Sequence, residues 1–153
     1  MSSGFVHLHT HSSYSPMWGI PTLEALCQAA RTQGQDRLAL TDTNGLYGAI
    51  RFLEVAKHEG LKPILGAELV HKAHRAVLLA KTPAGYANLC RLLSARHEES
   101  TFDFIAAVAR YRAGLIILSD DLSALRTWRK DSPKDVYVEL TPGSDIQEAI
   151  TFS

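Results

Sequence analysis

His7, His9 and His11 alternate within the run Phe5-Val6-His7-Leu8-His9-Thr10-His11-Ser12. In an extended backbone, residues two apart point to the same face, so this run lines up several imidazoles. Neutral imidazole is a good ligand for zinc and similar divalent ions, and two neighbouring rings can chelate one ion. The competing reading is a set of unrelated polar residues at a strand end. Three alternating histidines followed by Ser and Thr residues favour the metal reading. Two carboxylates join them as candidates. Asp42 ends an apolar run and opens the loop Asp42-Thr43-Asn44-Gly45, where it could serve a metal site and its catalysis, or order the turn. Glu68 sits between Ala67 and Leu69. A carboxylate in so apolar a setting needs a partner, and a metal or a histidine cluster would supply one. Asp120 and Asp121 follow an apolar run and suit helix N-capping as well as ligation. His74 stands in a weaker context, as do His58, His71 and His97.

These residues need elements to hold them. Residues 4–9 read as a strand, followed by a turn-rich stretch over 12–21. Thr22 can cap a helix that places Leu23, Leu26, Cys27 and Ala30 on one face, and Gly34 can close it. Residues 37–41 read as a buried strand, 46–59 as a helix stopped by Gly60, and 63–70 and 76–80 as strands. Tyr86, Leu89, Cys90 and Leu93 mark the inner stripe of the next helix. A helix over 102–112, a strand over 114–119, a short helix over 120–129 and a strand over 136–140 follow, and a last helix begins at Ser144. Strands separated by helices imply parallel pairing with right-handed crossovers. Chemistry in such folds gathers at the C-terminal ends of the strands. That rule selects His9, His11, Asp42, Glu68 and residues 119–121.

Composition narrows the function. The 153 residues suit one domain, and 16 basic residues balance 16 acidic ones. A neutral chain does not carry the broad basic field of a nonspecific nucleic-acid binder, so contact with nucleic acid is expected only through a larger assembly. The two cysteines, Cys27 and Cys90, fall on apolar helix stripes and read as buried thiols. There is no paired-cysteine zinc pattern, no phosphate-binding glycine loop and no nucleophile elbow. No apolar run approaches the roughly 20 residues of a membrane span, and no signal peptide is evident. The expected location is the cytoplasm.

The ordered motifs resemble the PHP (polymerase and histidinol phosphatase) family, and most of all the PHP domains at the N-termini of bacterial DNA polymerase III alpha subunits, replicative or error-prone. The residues that carry the resemblance are His7-Leu8-His9-Thr10-His11-Ser12-Ser13-Tyr14-Ser15, Leu40-Thr41-Asp42-Thr43-Asn44-Gly45-Leu46-Tyr47-Gly48-Ala49 and Gly60-Leu61-Lys62-Pro63-Ile64-Leu65-Gly66-Ala67-Glu68. Leu78-Leu79-Ala80-Lys81, Gly85-Tyr86-Ala87-Asn88-Leu89, Gly114-Leu115-Ile116-Ile117-Leu118-Ser119 and Val136-Tyr137-Val138-Glu139-Leu140 continue the order. The resemblance implies a partial, distorted TIM-like (β/α)7 barrel over residues 1–153, with mostly parallel strands and truncated at its C-terminal end. It implies a cluster of divalent ions (Zn, Mn or Mg) and phosphoester hydrolysis by a metal-activated water, including 3'-5' exonuclease action in some polymerases.

Carried over residue by residue, the resemblance matches His9 and His11 to the first ligand pair and Glu68 to the family glutamate. Asp121 aligns with a later ligand, and His74 lies next to another. The departures are Trp18 where the family has Asp, Thr43 where it has His, and Arg75 where it has His. The last family ligands fall beyond residue 153. These substitutions imply a degenerate phosphoesterase site in a polymerase-type domain. A working phosphoesterase is the rival expectation, and a noncatalytic interaction module is a third. The implied partners are the remainder of a polymerase, or replication and repair proteins. Self-association through the open edges of an incomplete barrel is also expected.

Overall fold

A computed structural model describes residues 4–98, 100–142, 147, 150 and 151. The chain divides into two compact units, Met1–Glu68 and Leu69–Ser153. The helix expected to begin at Ser144 starts outside the described residues.

In the first unit, Thr22 accepts the Ala25 N–H and caps α1 (Leu23–Thr32). β1 (Arg37–Leu40) and the start of β2 (Lys62–His71) pair in parallel, with Arg37 opposite Lys62 and Leu40 opposite Leu65. Between them lies α2 (Ala49–His58). Leu23, Cys27 and Ala30 of α1 form the core with Leu38, Leu40, Phe52, Val55, Ala56 and Leu61. The i, i+3, i+4, i+7 spacing of apolar residues in α1 is what permits this burial. Gly60 ends the crossover with φ of 71°, a backbone region open to glycine.

Residues 4–9 do not form the expected regular strand. The N-terminal run lies beside β1 and the residue after it, where Ala39 N–H donates to His7 O and Thr41 N–H donates to Thr10 O. The step of two from Ala39 to Thr41 is thus matched by a step of three from His7 to Thr10. The extra residue breaks the ladder, as a bulge does.

The second unit contains the rest of β2, then β3 (His74–Ala80), α3 (Pro83–Glu98), α4 (Phe104–Tyr111), β4 (Leu115–Ser119), α5 (Leu122–Asp131) and β5 (Val136–Val138). β4 pairs parallel with β5 but antiparallel with β3. β2 and β3 are joined by the two-residue turn Lys72-Ala73, with Lys72 at φ 54°. So short a connection joins only antiparallel strands. The pairing is therefore mixed, and the expectation that strands separated by helices pair in parallel fails between β3 and β4. Leu78, Leu89, Leu92, Ile117, Leu125 and Trp128 are fully buried here. The Trp128 indole N–H donates to Ile105 O, which satisfies its one polar group. Cys27 is buried as expected, and Cys90 is partly so.

Candidate metal centre

The parallel register carries the site. Thr43 bridges Glu68 at the same offset as the β1–β2 ladder, although both lie past the last ladder pair. Asn44 N–H donates to Glu68 O at 2.8 Å, and Glu68 N–H donates to Asp42 O at 3.1 Å. Asn44 adopts φ 52°, a conformation that asparagine tolerates better than most residues. This backbone clamp holds Glu68, 4% exposed, beside the N-terminal histidines.

His9 and His11 both turn toward Glu68. Their Nε2 atoms are 3.0 Å apart. His9 Nε2 lies 3.4 Å from Glu68 Oε1, and His11 Nε2 lies 3.6 Å from Glu68 Oε2. Donors bound about 2.0–2.2 Å from a tetrahedral ion stand about 3.3–3.6 Å from one another. The two nitrogen–oxygen separations reach that range, and the nitrogens need to spread by only about 0.3 Å to join them around one ion. Two imidazoles with a carboxylate are a donor set suited to zinc or a similar metal. Burial pushes the Glu68 carboxyl up. Hydrogen bonds from His9 and Thr43 and the charge of His11 and His9 outweigh burial and hold it below its ordinary value.

Asp42 has a different environment. It is 2% exposed. Its Oδ1 accepts the Ser12 N–H at 2.7 Å and the Ser15 hydroxyl at 2.6 Å, while Oδ2 accepts the Ser12 hydroxyl at 2.8 Å. The carboxylate thus anchors the loop after the histidines to the end of β1. Ser15 Oγ also accepts the Thr43 N–H at 3.0 Å and meets His11 Nδ1 at 3.1 Å. The Thr43 hydroxyl donates to Glu68 Oε2 at 2.9 Å and meets His11 Nδ1 at 3.3 Å. Gly19 closes the same loop. A Cβ there would collide with the carbonyl oxygen of Ser12.

His74 and Asp121, the other candidates, lie in the second unit and engage each other. His74 Nδ1 is 2.7 Å from Asp121 Oδ2. Asp121 Oδ1 accepts the N–H groups of Ser123 and Ala124 and so caps α5. Arg75 Nη2 donates to Asp120 Oδ2 at 2.6 Å. His7 is exposed and sets its ring edgewise to Phe5. Trp18 is 73% exposed. Ser12 and Ser15 were not singled out from sequence as functional residues. Their one local signal is the Ser-x-x-Ser spacing directly after His11, because the carboxylate they serve lies 27 to 30 positions away.

An α/β domain whose N-terminal histidines meet a buried glutamate of β2 is the class that this fold and site define. Residues 7–140 match the PHP domain family, and the chain belongs to it. It is 47% identical over 94 residues to the error-prone DNA polymerase of Symbiobacterium thermophilum, a match spanning 61% of this chain and 9% of that protein. It is 35% identical over 140 residues to the DNA polymerase III subunit alpha of Treponema pallidum, spanning 78% of this chain and 12% of that protein. The chain thus covers about a tenth of the length of these curated relatives. A crystal structure from Bifidobacterium adolescentis, described as a candidate metal-dependent phosphoesterase, superposes with a TM-score of 0.64 at 12% identity, over 99% of this chain and 84% of that one. That likeness shows the fold. No helix among the described residues is long and apolar enough to cross a membrane.

Proposed function

We propose that this chain is the PHP portion of a DNA polymerase III alpha-type protein, and that it holds one divalent ion on His9, His11 and Glu68 in a phosphoesterase centre that has lost its further ions. The observation that carries the reading is the convergence of two Nε2 atoms and one buried carboxylate within 3.6 Å of one another. When bound, such an ion supplies Lewis acidity toward a phosphate oxygen. The chain's own residues bind and orient. Thr43 steadies Glu68 by hydrogen bonding, and Asp42 is a positioning residue because its oxygens already accept three donors.

Degeneracy is supported by the substituted positions. Thr43 stands where a histidine ligand is usual in the family, and its hydroxyl is committed to Glu68 and His11. Arg75, at another such position, is committed to Asp120. In this reading His74 and Asp121 stay paired with each other rather than joining the ion.

Equilibrium dialysis against Zn(II) or Mn(II), followed by elemental analysis, tests the proposal together with an assay of p-nitrophenyl phosphate ester hydrolysis. One ion per chain and no turnover above buffer are expected. Two or three ions with turnover would overturn degeneracy, and no bound ion would overturn the metal reading.

A further inference from the structure

We propose that Ser15 and Thr43 fix His11 as the Nδ1–H tautomer, so that its Nε2 lone pair faces Glu68 before any ion arrives. A carboxylate only accepts hydrogen bonds. The proton in the 2.6 Å contact between Ser15 Oγ and Asp42 Oδ1 therefore belongs to Ser15. Ser15 also accepts the Thr43 N–H. Its hydroxyl proton is spent, and what remains toward His11 Nδ1 at 3.1 Å is a lone pair. Thr43 is committed in the same way. Its hydroxyl proton goes to Glu68 Oε2, which leaves an acceptor at 3.3 Å from His11 Nδ1.

Two acceptors therefore converge on one ring nitrogen, and a neutral imidazole satisfies them only by carrying its proton at Nδ1. Its Nε2 is then bare. His9 Nε2, 3.0 Å from that bare nitrogen, must be the donor in the contact between the rings. The two histidines are thus complementary in the metal-free chain: His11 preset for ligation, His9 protonated at the ligating atom. A metal-binding histidine is commonly oriented by the partner of its other nitrogen. Here that partner is a pair of hydroxyls, each oriented by a carboxylate. Asp42 thereby acts on His11 through Ser15 without touching it.

The inference about tautomers stands on the hydrogen bonds alone; its consequence for affinity rests on the proposed metal site. The two are separated by reading the metal-free chain first. Long-range 1H–15N correlation of the imidazoles, at a pH where both rings are neutral, distinguishes the tautomers directly. The expected result is Nδ1–H for His11 and Nε2–H for His9. Ser15→Ala combined with Thr43→Val removes both acceptors and should shift His11 toward Nε2–H. Zn(II) affinity, read by competition with a chromophoric chelator, should then fall about 10- to 100-fold. Ser15→Thr and Thr43→Ser keep the hydroxyls and should keep both the tautomer and the affinity.

Finding His11 as Nε2–H in the unsubstituted chain overturns the inference, and so does a double variant that retains the native tautomer. If the double variant loses its native amide fingerprint, Thr43→Val alone decides, since it removes one acceptor and should weaken the preference. If the unsubstituted chain binds no Zn(II), the metal reading fails, and the tautomer spectrum still decides this proposal.

Discussion

Among the described residues, two histidine–carboxylate groups join residues far apart in the sequence, and they are built differently. In the first unit, two Nε2 atoms face one buried carboxylate, and the carboxylate does no capping. In the second, one histidine meets one aspartate, and that aspartate holds the first turn of α5 with its other oxygen. The His74 ring also stacks on Phe104, 5.4 Å between centroids. The difference teaches how ligand-type residues become a site. They do so when lone pairs converge and the surrounding donors serve to orient them. Where the carboxylate is also a helix cap, its oxygens already complete the local backbone.

Buried polar groups divide in the same way. Ser12, Ser15, Gln35, Thr41, Asp42 and Glu68 are buried in the first unit, while Ser119 is the buried polar residue described in the second. Burying a polar group costs free energy unless it is hydrogen-bonded. Around Asp42 and Glu68 the first unit meets that cost with a connected network. The second packs apolar side chains around Trp128 and keeps its ion pairs half-exposed.

The largest effect that would break this comparison concerns metal affinity. His11→Ala or Glu68→Ala should lower Zn(II) affinity by more than about 100-fold, beyond the range that losing an outer partner costs. His74→Ala should change it less than about twofold. Chelator competition on the three variants checks this, and equal losses in all three would erase the distinction between the groups. Next in size is stability. Asp42→Ala strands the buried donors of Ser12 and Ser15, so it should cost about 3 kcal/mol in urea unfolding.

A smaller effect should come from the loop. Gly19→Ala drives a Cβ into the Ser12 carbonyl, so the backbone around Ser12 and Ser15 must shift. Metal affinity is expected to drop about tenfold, as for a displaced outer partner, while the helical circular dichroism signal stays intact. Unchanged affinity would mean that the loop does not transmit its position to His11.

Local signals account for what was readable in sequence. Thr22 before an amphipathic run announced α1, and Gly60 announced the end of the crossover after α2. Glu68 stood out because its neighbours are apolar, and the alternation of His9 and His11 survives as a shared direction even though the ladder around it is broken. The β2–β3 hairpin was hidden because Lys72-Ala73 carries none of the Gly or Asn chemistry that marks such turns. The hydroxyl network was hidden for another reason. Ser15, Asp42 and Thr43 meet only after α1 brings β1 back beside the N-terminal run, and no short pattern encodes a contact over 27 residues.

The smallest expected effect separates capping from ligation at Asp121. Serine and aspartate are both good N-caps, and alanine is a poor one. Asp121→Ala should therefore cost about 1 kcal/mol of stability in urea unfolding, whereas Asp121→Ser should cost at most about half that, although it removes the contact with His74. That contact is part-exposed, with side chains 36% and 20% accessible, so solvent screens it and its loss is small. If Asp121→Ser proves as damaging as Asp121→Ala, the His74 pairing rather than the cap is what the aspartate provides. The second histidine–carboxylate group would then stand closer to the first than its geometry indicates.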